Sequence, residues 1–366
     1  MYIEQLEYRF YRNLKHAVYA PAPTVNIICG DNAQGKTNLL ECIWLFTGGR
    51  SFRGSKESEL IRFGEEQALA KMQFFSEGRH QTLEYLISGG KRTAFLNGVK
   101  KTSLSQIVGH FCAVVFSPNH LMLIKNGPEE RRNFLDGALC QLKPSYVVTL
   151  GRYRKALEER NSLLKDIRRH RELQEMLPLW DERLSAEGAV IARERAALMQ
   201  ELSGIASSFY SGISGGRETL TLTYRTVGGR TGHPDELKTL EQEMKERLSE
   251  RREEELFCGY TTVGVHRDDI SVCIDQKEAR SFGSQGQQRS AVLAMKLAEA
   301  EVIARFKEEK PVVLLDDVLS ELDPFRKEYL LKRIEGMQVF ITCCETITEA
   351  PCVIHMENGA FTQAEE

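Results

Sequence analysis

A phosphate-binding loop pattern constrains the fold of this chain more than any other feature. Residues 30–37 read G-D-N-A-Q-G-K-T and match G-x-x-x-x-G-K-[ST] at every fixed position. A strand-like run, Val25–Cys29, precedes the loop, and a helix-like run, Asn38–Leu45, follows it. In this order, the backbone N–H groups of the loop and the N-terminus of the helix can hold a phosphate. The sequence therefore predicts a nucleotide-binding α/β core.

The residues of this loop have separate predicted roles. We expect Lys36 to reach the β- and γ-phosphates of ATP, and the Thr37 hydroxyl to bind Mg²⁺. An ordinary glycine turn before a helix is the competing interpretation, and the flanking strand and helix disfavour it. The predicted nucleotide-binding residues are Gly30, Asp31, Asn32, Ala33, Gln34, Gly35, Lys36, Thr37 and Asn38.

Composition narrows the class of protein. A length of 366 residues suggests two or three domains, and 42% hydrophobic with 28% charged residues is typical of a globular protein. No apolar run approaches the roughly 20 residues of a membrane helix, so we expect no membrane partner. Nine scattered cysteines without a C-x-x-C pair exclude a zinc ribbon and favour the cytoplasm. The net charge of −3 means that any nucleic acid must meet a local basic patch.

The first 128 residues predict one part of an ATPase head. Residues 1–30 have the pattern of two strands, the second of which ends at Gly30. Three antiparallel strands, joined by tight turns, follow the first helix. They are expected near 68–75, 82–87 and 93–96, with Gly89-Gly90 and Asn97-Gly98 in the turns.

Residues 129–257 predict a helical insertion. Two long helices with Pro178 between them indicate an antiparallel hairpin. A short strand at Leu220–Tyr224 and a further helix follow. The charge run 245–255 favours a solvated helix face.

Residues 258–366 return to an α/β pattern and complete the head. The expected elements are strands at Ile270–Ile274, Val312–Leu315 and Val339–Thr342, and a helix at Gln285–Phe306. The predicted fold class is therefore α/β. It combines a parallel sheet that carries the phosphate loop, an antiparallel β subdomain and an inserted helical hairpin.

Two acidic residues, Asp316 and Asp317, follow the apolar strand expected at Val312–Leu315. A buried parallel strand reads as continuous Val and Leu, and its carboxyl end is where ligands bind in open α/β sheets. Asp316 is expected to hold Mg²⁺, and Asp317 to orient or deprotonate the attacking water. With Lys36, Asp317 forms the predicted catalytic pair. A simple cap on the next helix is the alternative, which the phosphate loop makes less favoured.

A second anion site is predicted at the start of a helix, from Ser284, Gln285, Gly286 and Gln287. One nucleotide does not need two such sites, so we expect this one to close over the nucleotide of a second copy. Ser320 and Asp323 are expected in the same dimer seam. A plain helix N-cap is the simpler alternative for Ser284.

These motifs, in this order and around a helical insertion, resemble the ATP-binding-cassette (ABC) ATPases of the SMC-like class. The insertion is too short for the long arms of SMC proteins. More specific strings resemble the RecF family of bacterial recombination mediators. They are Ser51-Phe52-Arg53, Phe116–Asn119, Gly127–Asp136, Gly264–Asp269 and Leu315–Asp323.

The resemblance implies an ATP-dependent homodimer in which two heads sandwich two ATP molecules. It also implies that the protein binds duplex DNA near single-strand gaps and works with RecR to help load RecA. Base sequence should matter little, because contacts to phosphates carry no sequence information. ATP hydrolysis would be weak, stimulated by DNA, and would act as a switch. This chain has Val265 where the family has Pro. It also lacks acidic residues near Asn119-His120, so the residue that senses Mg²⁺ and the γ-phosphate is left unassigned.

Two other functions compete with this one. A transporter-type or ribosome-associated cassette ATPase would not act on DNA; Thr342 in place of a histidine, and the helical insertion, argue against it. A non-hydrolysing adaptor that only senses ATP is the third possibility.

Three further groups have open roles. His266–Asp269 is equally consistent with a catalytic constellation and with a charged turn. Arg9, Tyr11 and Arg12 either flank the nucleotide or form a solvated strand edge. Candidates for DNA contacts are Arg50, Arg53, Lys100, Lys101 and the arginine-rich helical hairpin.

Overall fold

A computed structural model describes residues 1–226, 237–344 and 352–363. The strands, in chain order, are β1 (Tyr2–Tyr11), β2 (Leu14–Tyr19), β3 (Val25–Cys29), β4 (Gln67–Ser76), β5 (Arg79–Ser88), β6 (Lys91–Leu96), β7 (Val99–Lys100), β8 (Ala113–Phe116), β9 (Leu220–Arg225), β10 (Asp269–Ile274), β11 (Lys277–Glu278), β12 (Val312–Asp316), β13 (Val339–Cys343), β14 (Val353–Glu357) and β15 (Ala360–Gln363). The helices are α1 (Lys36–Leu45), α2 (Met122–Lys125), α3 (Pro128–Leu142), α4 (Pro144–Asp166), α5 (Leu177–Ser214), α6 (Leu237–Glu250), α7 (Arg252–Cys258), α8 (Ala279–Phe282), α9 (Gln285–Lys307) and α10 (Pro324–Arg333).

The chain divides into two compact units. The first unit comprises Met1–Leu121, Cys140–Leu142 and Val292–Glu366, and the second comprises Met122–Leu139 and Lys143–Ala291. The second unit therefore includes β10 and the first residues of α9, beyond the helical insertion expected at 129–257.

A mostly parallel sheet lies in the first unit, with strand order β15-β14-β3-β13-β12-β8. Strands β3, β13, β12 and β8 run parallel to their neighbours. All five residues of β12 are buried, as its unbroken apolar sequence predicts for a strand covered on both faces. Because β13 separates β3 from β12, the carboxyl ends of three strands meet at one edge.

An antiparallel sheet forms the other part of this unit, in the order β2-β1-β4-β5-β6-β7. Residues of β4 and β5 alternate between buried and less buried positions, so one face packs on the core. Gly89-Gly90 and Asn97-Gly98 both have positive φ angles, as two-residue hairpin turns require. The predicted turns are confirmed.

The prediction of two strands in residues 1–30 was wrong, because three are present. The missed turn joins β1 to β2 through Arg12 and Asn13, without glycine or proline. Arg12 has a φ of 50°, and its N–H donates to the Leu60 carbonyl. A contact from a distant segment holds this turn, so the local sequence carries no signal for it.

Helices α4 and α5 form the predicted antiparallel hairpin in the second unit. Ion pairs join them in reversed order along the chain, at Lys143–Glu194, Arg152–Glu187 and Arg160–Asp181. Pro178 was expected between the helices but lies in the first turn of α5, where its missing N–H costs nothing. A 3₁₀ segment, Arg171–Met176, makes the connection instead.

The charge run 245–255 ends in a buried residue. Glu255 is fully buried and pairs with the equally buried Arg160. The interpretation of this run as a solvated face is therefore wrong at Glu255. Its burial is possible because Arg160 supplies the opposite charge.

Within the part of the chain that the structure describes, no helix is long and apolar enough to cross a membrane.

Candidate nucleotide-binding site

Glycines shape the phosphate loop between β3 and α1. Gly30 and Gly35 have φ angles of 148° and 114°, which side-chain-bearing residues rarely adopt. A Cβ at Gly30 would lie 2.4 Å from the Met356 carbonyl oxygen, and one at Gly35 would lie 2.7 Å from Oδ1 of Asn13. The loop thus requires glycine at both fixed positions of its motif.

Lys36 is buried beneath the loop. Its Nζ donates to the carbonyl oxygens of Gly30 and Asp31, the latter at 2.8 Å, and lies 3.8 Å from Sγ of Cys344. The Lys36 ammonium group therefore lies next to the backbone of the loop that is predicted to bind the phosphates.

Thr37 and Asp316 meet at the carboxyl edge of the parallel sheet. The Thr37 hydroxyl donates to Oδ1 of Asp316 at 2.7 Å, and the Thr342 hydroxyl donates to the same oxygen at 3.1 Å. Burial raises the pKa of Asp316, as does the neighbouring charge of Asp317, while the two hydroxyl donors lower it. The proposed metal ligands are therefore neighbours.

Asp317 is exposed and has a strained backbone. Its φ of 52° lies in the left-handed region, which costs a non-glycine residue roughly 1 kcal/mol or more. The Asp317 N–H donates to the Thr342 hydroxyl at 2.9 Å, and the Ser320 hydroxyl donates to the Asp317 carbonyl at 2.8 Å. Strain of this kind collects at functional sites, where neighbouring contacts fix the residue.

The two predicted seam residues are both exposed. Ser320 lies in the 3₁₀ segment Leu319–Glu321, and Asp323 caps α10 by accepting the Arg326 N–H at 3.1 Å. Hydrogen bonds from Arg326 lower the pKa of Asp323. Their place in a dimer seam stays a prediction.

Ser284 and Gln287 form a reciprocal cap at the start of α9. The Ser284 N–H donates to Oε1 of Gln287 at 2.7 Å, and the Gln287 N–H donates to the Ser284 hydroxyl oxygen at 3.2 Å. Ser284 and Gln285 are exposed, and Gly286 is partly exposed. The N-cap is thus present, and the additional role toward a second copy stays a prediction.

Asn13 is a site residue that the sequence analysis missed. Its Nδ2 donates to the Ala33 carbonyl at 3.2 Å, and its Oδ1 accepts from Nδ2 of Asn38 at 2.7 Å. Arg53 in turn donates to Oδ1 of Asn38 at 2.8 Å. The turn between β1 and β2 therefore supports the loop, and no local pattern reveals this.

Tyr11 and Arg12 fasten α1 to β1. Both donate to the buried carboxylate of Glu41, Tyr11 at 3.1 Å and Arg12 through two nitrogens. Arg9 is exposed, with Glu7 at 3.7 Å. These three residues were expected either to flank the nucleotide or to form a solvated strand edge. Only Arg9 lies at a solvated edge.

The His266–Asp269 segment is a turn tied to its own unit. Two Arg131 nitrogens donate to Asp269 at 2.7 and 3.0 Å, and Tyr224 donates to Asp268. His266 accepts from the Tyr153 hydroxyl at 2.7 Å, and burial lowers its pKa to about 4. These contacts are those of the charged turn, one of the two alternatives.

His120 lies in the segment where the sensing residue was left unassigned. Its Nδ1 accepts the Ser117 N–H at 3.0 Å, and burial lowers its pKa well below the usual value. A neutral imidazole in this position does not replace an acidic metal ligand.

The donors at the sheet edge suit a hard cation. Oxygen ligands are those that Mg²⁺ prefers, and it commonly keeps waters and substrate phosphates in its shell. Among residues 1–226, 237–344 and 352–363, no group of three or more His, Cys, Asp and Glu could hold a metal by itself. One hydroxyl and one carboxylate therefore fit a Mg²⁺ that arrives with a nucleotide.

Comparison with known proteins agrees with this geometry. The family model for the RecF/RecN/SMC N-terminal domain matches residues 2–358. The DNA replication and repair protein RecF of Caldanaerobacter subterraneus subsp. tengcongensis is 39% identical over 365 residues, covering 98% of this chain and 99% of that protein. The chain belongs to the RecF family.

Two solved structures extend this result to the fold. They are described as the recombination mediator protein RecF-ATPrS and RecF-ATP in the RecFOR pathway, and both have a TM-score of 0.93. The first is 38% identical and covers 98% of this chain and 97% of that one; the second is 37% identical and covers 100% and 98%. The predicted fold class, an ABC-type ATPase head with a helical insertion, is confirmed.

Proposed function

We propose that this RecF-family chain is a cytoplasmic, ATP-dependent DNA-binding protein of recombinational repair. In the proposed cycle, ATP joins two copies into a dimer that binds duplex DNA near single-strand gaps. With RecR, the dimer helps to load RecA, and slow, DNA-stimulated hydrolysis of ATP releases it. The proposal is supported by relatives that are DNA replication and repair proteins and by structures of RecF in the RecFOR pathway.

One observation carries the ATPase part of the proposal. The Thr37 hydroxyl and the Asp316 carboxylate, 279 residues apart in sequence, are 2.7 Å apart in space. Sheet order explains the approach, because β3 and β12 both border β13. A phosphate loop beside a strand-end acid is the arrangement that phosphate-loop ATPases use for a nucleotide and its metal.

Different residues of this chain would have different roles in ATP hydrolysis. The loop from Gly30 to Asn38 would wrap the phosphates, with Lys36 as the nearby cation. Thr37 and Asp316 would hold Mg²⁺, which supplies positive charge at the phosphate oxygens. Asp317 would orient or deprotonate the attacking water, and the Thr342 hydroxyl fixes the Asp317 backbone from below.

Dimerisation would complete each site. Ser284, Gln285, Gly286 and Gln287 of one copy would face the γ-phosphate held by the other, with Ser320 and Asp323 in the seam. A hydroxyl and a helix N-terminus are suited to bind an anion. Each ATP would then be shared by two chains, so the nucleotide controls the assembly.

The DNA surface is proposed to form from two copies together. Arg50, Arg53 and Lys100 are exposed, and Lys101 is partly exposed. The net charge of −3 makes a single copy a weak ligand for a polyanion. Contacts to phosphates carry no base information, which explains sequence-independent binding.

ATP turnover with and without duplex DNA tests this function. We expect slow basal turnover by the native chain and an increase with DNA. Asp317→Asn should keep ATP binding and lower turnover by roughly 10²-fold, the size of a general-base contribution. Lys36→Ala should lose ATP binding. Glu301→Gln is the control and should behave as the native chain, because Glu301 is partly exposed and pairs with Arg305.

Other results would point elsewhere. Turnover retained in Lys36→Ala would remove the phosphate loop from the mechanism. Turnover that DNA leaves unchanged would favour a cassette ATPase that does not act on DNA. Dimerisation by ATP without turnover under either condition would favour the ATP-sensing adaptor.

A further inference from the structure

A chain of hydrogen bonds leads from the buried Tyr210, near the end of α5, through the partly exposed Glu218 to the cap of α9. Helix α5 ends at Ser214, and the next two residues, Gly215 and Gly216, have positive φ angles, 66° and 74°, which turn the chain back. Two residues later, the Glu218 carboxylate accepts the Tyr210 hydroxyl at 2.7 Å through Oε2. Tyr210 is fully buried, so it is a firm anchor for this carboxylate.

The other oxygen of the same carboxylate reaches the cap. Oε1 of Glu218 accepts Nε2 of Gln287 at 2.7 Å. The Gln287 amide uses its own oxygen to accept the Ser284 N–H. An ionised carboxylate only accepts hydrogen bonds, so it turns the NH₂ end of the amide toward itself and the oxygen toward Ser284.

The backbone around Glu218 is held from the other side. The Thr219 N–H donates to Oδ1 of Asp275 at 2.9 Å, and the Asp275 N–H donates to the Thr219 carbonyl at 3.0 Å. Asp275 lies in the turn between β10 and β11, immediately beyond the pairing of β9 with β10. Glu218 is therefore fixed by a helix end and a strand pair together.

The turn before α9 has little room to rearrange. A Cβ at Gly283 would lie 2.6 Å from the Ala279 carbonyl oxygen. The amide of Gln288, which is buried, donates to the carbonyls of Ala279 and Gly283 at 2.9 and 3.2 Å. The Gln287 amide is then the adjustable part of the cap, and Glu218 sets its orientation.

We propose that Glu218 is a positioning residue for the γ-phosphate site contributed to a second copy. It holds the Gln287 amide in the orientation that presents Ser284 and the first turn of α9 to that phosphate. Tyr210 acts through Glu218, which links the end of the long helix α5 to this site. The inference rests on the proposed function, because it assigns to the cap a role in ATP-driven dimerisation.

The test compares ATP-induced dimerisation of full-length variants by analytical ultracentrifugation. Glu218→Ala leaves the amide free to turn, and we expect the dimer dissociation constant with ATP to rise about tenfold, the size expected for one lost charge-assisted hydrogen bond. Tyr210→Phe should raise it less, because Glu218 keeps its contact with Gln287. Glu218→Gln keeps an acceptor for that contact and should recover most of the native value.

A second measurement separates positioning from general damage. ATP binding by the isolated chain depends on its own phosphate loop, so Glu218→Ala should bind ATP as the native chain does. Arg217→Ala is the matched control, because Arg217 lies in the same turn and donates only to the Ser214 carbonyl among its described side-chain contacts. It should dimerise normally.

Three results would overturn the inference. Native dimerisation by Glu218→Ala would do so, as would weaker ATP binding by its isolated chain or an equal defect in Arg217→Ala. Ser284→Arg, measured in parallel, identifies which proposal fails. If Ser284→Arg blocks dimerisation and Glu218→Ala does not, the role of Glu218 fails alone. If Ser284→Arg dimerises as the native chain does, the two-copy site fails and the role of Glu218 fails with it.

Discussion

At the scale of the residue, Thr342 holds both acids of the nucleotide site. Its hydroxyl donates to the side chain of Asp316 and accepts the backbone N–H of Asp317. One small polar group thus contacts both the predicted metal ligand and the residue predicted to orient the attacking water. A histidine stands here in transporter cassettes. It has no hydroxyl, so no single atom of its side chain could both donate to Asp316 and accept from Asp317.

Thr342→Val should lower ATP turnover about tenfold, because it leaves the Asp317 N–H without an acceptor and loosens Asp316. ATP affinity of the isolated chain should change by less than about twofold, since the phosphate loop is untouched. Steady-state hydrolysis and equilibrium binding measure the two effects. Thr342→Ser keeps the hydroxyl and should retain most of the turnover. A native rate in Thr342→Val, or an equal loss in Thr342→Ser, would contradict this role.

The residues of fixed motifs could be predicted, and those that support them could not. Lys36 and Thr37 follow from the spacing of the loop motif, and Asp316 from its place at the end of an apolar strand, because the chemistry of phosphate and metal restricts each position. Their roles stay predictions. Asn13 and Glu218 make their contacts with segments that are distant in the sequence. Their partners, Ala33 and Gln287, become neighbours only after the sheets and helices have formed.

At the scale of the element, the turn from Gly264 to Asp269 leads from α7 into β10 and contacts α4 through Tyr153. A Cβ at Gly264 would lie 2.4 Å from the Tyr153 hydroxyl oxygen, and that hydroxyl donates to Nδ1 of His266. The other ring nitrogen of His266 lies 3.2 Å from the Thr261 carbonyl. A neutral imidazole satisfies both contacts, because one nitrogen accepts and the other donates.

Stability should therefore fall as the pH is lowered. Burial keeps the pKa of His266 near 4 in the folded chain, below the value of about 6.5 in the unfolded chain. The unfolded chain binds the proton first, so the contribution is complete above pH 6.5 and is lost progressively toward pH 4. Between pH 7 and pH 5 the loss should be about 2 kcal/mol.

Urea unfolding of the native chain and His266→Gln at both pH values measures this contribution. The variant should lose about 2 kcal/mol less between pH 7 and pH 5 than the native chain, whatever its stability at pH 7. An unchanged pH dependence in His266→Gln would show that this imidazole is not the group responsible.

Element types were predictable where the sequence repeats a strong pattern. The apolar run of β12 and the hairpin glycines were located correctly. The two long helices α4 and α5 were also predicted, although Pro178, expected between them, lies in the first turn of α5. The turn at Arg12-Asn13 and the burial of Glu255 were missed. Both depend on a distant partner, Leu60 for the turn and Arg160 for the acid.

At the scale of the whole molecule, the proposed function depends on two copies. A single chain carries a net charge of −3 and one set of candidate DNA contacts, among them Arg50, Arg53 and Lys100. Joining two copies through ATP would place two such sets on one DNA, and avidity of this kind raises affinity by roughly 10²-fold or more. Each neutralised phosphate also releases counterions, so affinity should fall steeply with salt.

The central claim is that ATP creates the DNA-binding species by joining two chains. The most direct measurement is sedimentation of the chain with duplex DNA, with and without ATP, across a salt titration. The account predicts a DNA-bound dimer only with ATP, weakened by salt, and absent in both Lys36→Ala and Ser284→Arg, although the latter still binds ATP as a single chain. Equal DNA binding by Ser284→Arg and the native chain at every salt concentration would contradict it.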